Sequence, residues 1–184
     1  MHIKTTSIPG CYEIECDVHI DGRGQFVKTV NHDEFSSYGL ESDFVEQYYS
    51  RSHAGVIRGL HFQSPPHEHA KLVYCISGTV LDAVLDLRAG SPTYGKSVMI
   101  ELSSRKGNMM YVPRGLAHGF CALEESVVVY NVTSAYASQY DTGLLWNSAG
   151  IHWPFESPIL SDRDRSFPAF AALQTPFQYT ELHS

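Results

Sequence analysis

The chain has 184 residues, of which 43% are hydrophobic and 18% are charged, a balance that excludes an intrinsically disordered chain and suits one packed domain. Its formal net charge of -7 excludes the basic field that drives non-specific binding to nucleic acid, so no nucleic-acid partner is expected. No apolar run is long enough to cross a bilayer, and the first residues lack the pattern of a secretory signal. We therefore expect a cytoplasmic protein without a membrane partner, whose 4 cysteines are packed thiols.

Short runs of branched and aromatic residues, separated by glycine and proline turns, predict many strands. In chain order the predicted strands are 25–30, 71–76, 79–87, 97–102, 108–112 and 126–133. In the strand 79–87 one parity holds Leu81, Ala83, Leu85 and Leu87, and the other holds Asp82 and Asp86, which predicts a half-buried strand with one polar face. Short helices are predicted at 32–38 and from about Ser161, a favourable N-cap residue.

The order of these elements indicates the fold class. Strands do not alternate with long helices, which argues against a parallel sheet and favours an antiparallel sandwich or barrel, with a jelly roll as the best fit. No repeat or linker divides the sequence, so we expect a single domain over 1–184 with its core at about 10–165. The segment at about 166–184 contains Pro168 and Pro176 and predicts an irregular tail on the surface.

Histidines and cations are concentrated at 56–71, and this density suggests a metal site. A second segment, 107–118, has proline, glycine and histidine at spacings that resemble the second motif of the cupin superfamily, ending at His118. The two segments together raise the hypothesis of a metal-dependent cupin oxygenase or isomerase.

The first cupin motif argues against that hypothesis. In the frame of metal-binding cupins, Pro65 and His67 stand where two histidines belong, and Lys71 stands where a glutamate belongs. A protonated ammonium group has no lone pair and repels a cation, so no metal site is expected. His69 and Glu68 are then interpreted as solvated loop residues.

Five motifs in the same order resemble the dTDP-4-dehydrorhamnose 3,5-epimerase family. They are R-G-L-H-F-Q at 58–63, K-L-V at 71–73, S-P-T-Y-G at 91–95, A-H-G-F at 117–120 and I-H-W-P at 151–154. The resemblance covers about residues 10–164 and implies an all-β, cupin-type antiparallel jelly roll with short flanking helices. It also implies a homodimer, without metal or other cofactor, that epimerises C3, or C3 and C5, of a nucleotide-diphosphate-linked 4-keto-6-deoxy sugar through an enolate.

Epimerisation beside a ketone requires a base, a group that holds the enolate oxygen and an acid on the opposite face. A neutral imidazole suits the base. The resemblance places His61 in that role, with Asp164 of the L-S-x-x-D motif as the carboxylate that fixes its tautomer. By the same resemblance Lys71 faces the keto oxygen, and Tyr130 is the general acid.

The resemblance also implies a set of substrate-binding residues. Arg23 and Arg58 match arginines that hold the diphosphate, a task for which the guanidinium fork is suited. The others fall on the sugar or base pocket: Gln63, Phe26, Glu46, Tyr48, His118, Tyr136 and Trp146. For His118, Tyr136 and Trp146 a packing role is an equally good interpretation.

Two segments depart from the family pattern. Lys28 stands where an acid is usual, and Tyr48 and Tyr49 replace smaller polar residues before the R-G-L-H motif. These segments border the nucleotide base, so our hypothesis is that the donor carries GDP or CDP instead of dTDP.

Other functions stay open at this point. A 3,4-ketoisomerase on the same scaffold would use a similar histidine, although the R-G-L-H-F-Q and L-S-x-x-D pair favours an epimerase. A non-catalytic sugar-binding cupin is a third class beside the metal-dependent one. The sequence also leaves open hexose or heptose as the sugar, and inversion of one stereocentre or two.

Overall fold

The computed structural model describes residues 1–180, and most of its regular elements are strands. The strands are β1 His2–Thr5, β2 Tyr12–Glu15, β3 Val18–Asp21, β4 Gly24–Val27, β5 Glu46–Ser52, β6 Ile57–Gln63, β7 Lys71–Ser77, β8 Thr79–Asp86, β9 Ser97–Ser103, β10 Asn108–Val112, β11 Leu116–Ala122, β12 Ser126–Val132 and β13 Asp141–Gly143. The helices are α1 His32–Ser37, α2 Asp162–Ser166 and a 3₁₀ helix at Phe170–Ala172. No helix in the described range could span a membrane.

Two antiparallel sheets form the body of the fold. One has six strands in the order β1-β2-β10-β7-β12-β5, and the other has five in the order β13-β6-β11-β8-β9. Consecutive strands in the chain therefore often lie in different sheets, as in a jelly roll. The predicted all-β jelly roll with short flanking helices is confirmed. Strands β3 and β4 form a separate hairpin.

The main core lies between the two sheets. It is built from alternate residues of strands in both sheets, such as Val73 on β7, Val84 on β8, Phe120 on β11 and Val128 on β12. Because side chains alternate along a strand, every residue of the same parity on these strands also points inward. This alternation directs the functional side chains into the space between the sheets.

The outer face of each sheet is also partly covered. Phe35 of α1 is fully buried against the outer face of the six-stranded sheet, where it packs with Leu72 and Met109. Helix α1 begins where the sequence predicts, because the Asn31 side chain accepts a hydrogen bond from the Glu34 amide. These contacts bury both faces of the central strands, unlike a half-exposed sheet.

Strand β8 differs from its predicted pattern for this reason. Asp82 and Asp86 are buried, and both are 0% exposed. Each carboxylate has a cationic or imidazole partner inside the fold, His118 for Asp82 and Arg88 for Asp86. The predicted polar face is therefore wrong: Val80 and Val84 share its parity and lie in the main core between the sheets.

The C-terminal segment also differs from the predicted surface tail. It is irregular apart from the 3₁₀ helix, yet Phe177 is buried and its ring centroid lies 5.6 Å from that of Phe62. The Tyr179 amide donates a hydrogen bond to the Ala89 carbonyl. The segment is held because its aromatic residues cover the apolar outer face of the five-stranded sheet. Residues 181–184 of the predicted tail lie outside the described residues.

Candidate active site

A cavity of about 330 Å³ opens between the two sheets at one end of the sandwich. Four of its lining residues mark strand ends there: Glu46 begins β5, Lys71 begins β7, Gln63 ends β6 and Val132 ends β12. Strand ends at the mouth of a sandwich combine a rigid support with access from solvent. This cavity contains most of the residues that the sequence identifies.

His61 and Asp164 form a hydrogen-bonded pair at the cavity wall. His61 Nε2 lies 2.7 Å from Asp164 Oδ1, and the Gly59 amide donates to Asp164 Oδ2 at 3.3 Å. Helix α2 carries Asp164, and the Ser161 side chain caps that helix by accepting a hydrogen bond from the Asp164 amide. The predicted pair is thus brought together across more than half of the chain.

The electrostatics of this pair favour a carboxylate. Burial opposes ionisation of Asp164, but the hydrogen bonds from His61 and Gly59 outweigh it and hold the pKa of Asp164 below its usual range. An ionised Asp164 accepts a hydrogen bond from Nε2–H of His61, which leaves the lone pair of a neutral ring on Nδ1. His61 lines the cavity, so this geometry supplies a base.

Lys71 reaches across the cavity from the opposite sheet. Its side chain belongs to β7 of the six-stranded sheet, and Nζ donates a hydrogen bond at 3.3 Å to the carbonyl of His61 on β6. Lys71 is 6% exposed, and burial lowers its pKa to about 8, against the attraction of Asp141 and Asp82. A buried ammonium group in an open cavity is suited to an oxygen that gains negative charge.

Tyr130 lies on the six-stranded sheet, which faces the sheet that carries His61. Its hydroxyl is 3.3 Å from Ser50 Oγ, and its ring stacks on Tyr48 with centroids 4.8 Å apart. Burial raises the pKa of Tyr130 well above the ordinary range for tyrosine, so the phenol keeps its proton. The base and a protonated hydroxyl are therefore supplied by opposite walls.

His118 forms a second histidine–aspartate pair beside the first. It lies directly opposite His61 in the antiparallel pairing of β11 with β6, and its Nε2 is 2.8 Å from Asp82 Oδ1. Both members of this pair are buried, and His118 lines the cavity. His118 thus belongs to the predicted pocket, and its ring is also a packed side chain, 6.0 Å from Tyr130 in an edge-on contact.

The remaining predicted residues in the cavity are Arg58, Gln63, Glu46, Tyr48 and Tyr136, all of which line it. Arg58 is held by hydrogen bonds from its guanidinium group to Ser52 Oγ and to the Arg51 carbonyl, each 3.0 Å long. This orientation presents a cation at the cavity and suits an anionic group of a ligand.

Three predicted binding residues do not line this cavity. Arg23 and Phe26 lie on the β3–β4 hairpin, where Arg23 is exposed and its guanidinium forks onto Asp21. The hairpin pairs only with itself and packs outside the sandwich, which is why its residues do not point inward. Trp146 lies beyond the end of β13, where its carbonyl accepts a hydrogen bond from the Trp153 indole.

Six lining residues are not predicted as site residues from the sequence: Ser50, Phe62, His69, Val132, Asp141 and Arg163. Arg163 forms an ion pair with Asp141 at the cavity and lies with its guanidinium carbon 5.1 Å from the Phe167 ring centroid. The sequence could have indicated Arg163 only through its position next to Asp164 in the helix that Ser161 caps. His69 is not the solvated residue that the sequence predicts, because it is partly buried beside Gln63.

A metal site would require several His, Cys, Asp or Glu side chains to point at one place. Within residues 1–180, no three His, Cys, Asp or Glu side chains converge in a way that could hold a metal ion. His67 packs on Tyr140 with ring centroids 4.5 Å apart, and His118 is engaged with Asp82. The described residues therefore provide no ligand set.

A jelly roll with an imidazole–carboxylate pair on one sheet, a protonated tyrosine on the facing sheet and a buried ammonium group defines an acid–base enzyme of the cupin type. A family model described as dTDP-4-dehydrorhamnose 3,5-epimerase matches residues 5–172. The chain belongs to this family, and with it to the isomerases.

Known proteins of this family resemble the chain over nearly its whole length. The dTDP-4-dehydrorhamnose 3,5-epimerase of Shigella flexneri is 39% identical, with 89% of this chain and 93% of that protein covered. A crystal structure of the Elizabethkingia anophelis enzyme has a TM-score of 0.88 at 39% identity, covering 93% and 97% of the two chains. The Legionella pneumophila epimerase, solved with dTDP-4-keto-L-rhamnose, has a TM-score of 0.93 at 31% identity and covers 98% and 99%.

Proposed function

We propose that the protein inverts C3 and C5 of a dTDP-linked 4-keto-6-deoxyhexose. One observation carries this proposal: the His61–Asp164 pair and the Tyr130 hydroxyl lie on facing sheets, and Lys71 spans the space between them. A proton can be removed from one face of a sugar ring and returned from the other only if acid and base are separated in this way.

The steps follow from the positions of the side chains. His61 Nδ1 takes the proton from the carbon beside the ketone, the electron pair of the C–H bond forms a C=C bond, and the π pair of the carbonyl moves to the keto oxygen. The Lys71 ammonium group offsets the charge on that oxygen. Tyr130 then donates its proton to the same carbon from the opposite face as the ketone re-forms, and the stereocentre is inverted. Proton exchange with solvent restores the phenol and the neutral imidazole. Because C3 and C5 both adjoin the C4 ketone, the same groups can act at each carbon.

The ionised Asp164 stabilises the imidazolium that His61 becomes during the reaction. Arg58, with Arg163 as a further cation at the same cavity, is suited to the diphosphate of the substrate. The relatives are named for dTDP substrates, and this supports dTDP as the nucleotide. Our hypothesis of GDP or CDP, based on Lys28, Tyr48 and Tyr49, is the alternative outcome of the experiment below.

Incubation in heavy water tests the reaction. The enzyme is mixed with 4-keto-6-deoxyglucose linked to dTDP, CDP or GDP, and the product is examined by NMR. We expect one deuterium at C3 and one at C5, both centres inverted, with dTDP as the preferred carrier. Uptake at C3 alone would correct the proposal to a 3-epimerase, and a 3-keto product would replace it with a ketoisomerase. Bound sugar without any uptake would contradict catalysis.

We also propose that the active protein is a homodimer. The outer face of the six-stranded sheet exposes Tyr49 on edge strand β5 and Ile76 on β7, and the adjacent hairpin exposes Ile20 and Phe26. A second copy on this face would bury this apolar surface. It would also offer the hairpin arginine, Arg23, to another subunit, which agrees with its predicted diphosphate role.

The expected result in solution is a dimer of about twice the monomer mass by sedimentation velocity. Tyr49→Lys should shift the protein towards monomer, because a charged side chain in an apolar contact is costly to bury. Tyr94→Lys is a matched control, since Tyr94 is also exposed but contacts Phe170 near the C-terminal segment. A wild-type monomer with full activity would contradict the proposal.

We further propose that the chain acts as a single domain in the cytoplasm. Its four cysteines are all buried and free, which is compatible with a reducing compartment. Three apolar clusters share the strands of the two sheets, which supports one cooperative unit.

A further inference from the structure

The segment between β12 and β13 carries Tyr136 to the mouth of the cavity. Side chains of other elements, not strand pairing, hold its backbone. The Tyr136 amide donates to Glu46 Oε2 at 2.9 Å, and the Ala137 amide donates to Gln63 Oε1 at 2.6 Å. Gln63 Nε2 donates in turn to the Ala135 carbonyl at 3.2 Å. We call residues 134–137 the Tyr136 loop.

The orientation of the Gln63 amide is determined by backbone groups. Its nitrogen faces the carbonyl oxygens of His67 and Ala135, at 2.8 and 3.2 Å, and its oxygen faces the Ala137 N–H. A flipped amide would place oxygen against oxygen and N–H against N–H, so only one orientation is satisfied. Gln63 is 3% exposed, and its two N–H groups are shared among the two carbonyl oxygens and a third acceptor described below.

This orientation determines the state of the neighbouring imidazole. Gln63 Nε2 also lies 3.2 Å from Nδ1 of His69. Because an amide nitrogen carries donors only, Nδ1 is the accepting atom of this shared contact, and the ring proton is on Nε2. A proton on both nitrogens would place N–H against N–H and break this contact. Burial and, to a smaller extent, the charge of Lys71 lower the pKa of His69 to about 3, against the effect of a hydrogen bond to the Ser134 backbone.

We propose that Glu46, Gln63 and His69 are positioning residues that hold the Tyr136 loop, with His69 acting as a neutral ring, and that they fix where Tyr136 covers the bound sugar. The proposal deepens the proposed function, since it rests on the same cavity as the sugar site. It also assigns to Glu46 and Gln63 a role other than the direct substrate contact that the resemblance implies. Their polar atoms already bind the loop backbone.

A neutral His69 has a second consequence for the cavity. A charged ring here would add a cation beside Lys71 and would compete with it for the developing negative charge. With His69 uncharged, the ammonium group of Lys71 is the cation that the substrate oxygen meets on this side. The loop anchor and the charge pattern therefore depend on the same ring.

Hydrogen exchange of the free protein tests the anchor without reference to catalysis. His69→Gln keeps an acceptor for Gln63, whereas His69→Leu removes it at similar size. We expect the amides of Tyr136 and Ala137 to exchange about tenfold faster in His69→Leu, the change expected for loss of one hydrogen bond, and within about threefold of wild type in His69→Gln. Glu46→Ala and Glu46→Gln repeat the comparison at the other anchor, so the result does not depend on one variant folding.

Steady-state kinetics then test the link to Tyr136. We expect His69→Leu to lower kcat/KM about tenfold, mainly through KM, and His69→Gln to restore it. In the background of Tyr136→Ala the same His69→Leu change should have little further effect, because the loop has lost the side chain that it positions.

Two results would overturn the proposal: unchanged exchange of both amides in His69→Leu and Glu46→Ala, or additive losses in the double variant with Tyr136→Ala. His69→Gln behaving like His69→Leu would also overturn the role of the ring as an acceptor. If the wild-type protein turns over none of the sugar nucleotides, the proposed function fails, but the exchange measurement still decides whether these residues hold the loop.

Discussion

His61→Asn will reduce the uptake of solvent deuterium by a 4-keto sugar about 1,000-fold or more, within the range attributed to a positioned general base and its orienting carboxylate. Asparagine is polar and smaller than the imidazole, but its amide nitrogen has no basic lone pair. Binding of dTDP should stay within about threefold, because Arg58 and Arg163, the cations of the cavity that we propose for the diphosphate, are untouched. NMR of the recovered sugar measures uptake, and calorimetric titration measures binding.

Two further variants make this result specific. His53→Asn is a matched control on an exposed histidine outside the cavity and should leave the rate unchanged. Tyr130→Phe removes the proposed acid but keeps the base, so it should still take up deuterium while inversion falls. Exchange in His61→Asn at more than one tenth of the wild-type rate would remove His61 from the role of base.

The layout of the fold could be predicted because strand alternation is a local property. The predicted strand 108–112 coincides with β10, and Ser161 caps α2 as the sequence indicates. The burial of Asp82 could not be predicted in this way, since an aspartate on an alternating strand usually faces water. Its burial depends on His118, which a different strand supplies.

The residues of the candidate active site could be predicted only where they belong to a recognised sequence motif. Nothing local connects His61 with Asp164, and their pairing follows from helix α2 packing beside β6. Motif positions also failed to indicate that Arg23 lies on a hairpin outside the sandwich, because a motif does not state how its segment is placed relative to the two sheets. His69 was missed for a physical reason: its surroundings are set by Gln63 and by a loop more than sixty residues away.

Lys71→Met is expected to lower the rate of exchange about 100-fold or more and, at the same time, to stabilise the folded protein by about 1 to 2 kcal/mol near pH 7. The first effect is the loss expected when a group that holds a developing oxyanion is removed. The second follows because Lys71 is buried without a carboxylate within salt-bridge distance among the described residues, and methionine fills similar space without a charge to desolvate. The Lys71 ammonium group is thus expected to increase activity and to decrease the stability of the folded protein.

The contribution of Lys71 to the free energy of unfolding changes with pH in a direction that its pKa determines. Lys71 has a folded-state pKa of about 8, below the ordinary value of 10.5, so between these values the unfolded chain binds the proton and the folded chain does not. The free energy of unfolding therefore rises as the pH increases from about 8 to about 10.5, because of this one group. Activity should change in the opposite direction, because the ammonium form is lost above pH 8. The rise in stability should be missing in Lys71→Met.

Chemical denaturation of wild type and variant at pH 7, 8.5 and 10 measures the effect, with Lys106→Met as a matched control. Lys106 is exposed and pairs with Glu101 on the surface, so its removal should change the free energy of unfolding by less than about 0.5 kcal/mol. A Lys71→Met protein that is less stable than wild type at pH 7 would show that the ammonium group is stabilised inside the fold. The cavity would then hold Lys71 as a structural cation, and the charge available to an enolate oxygen would have to come from another residue.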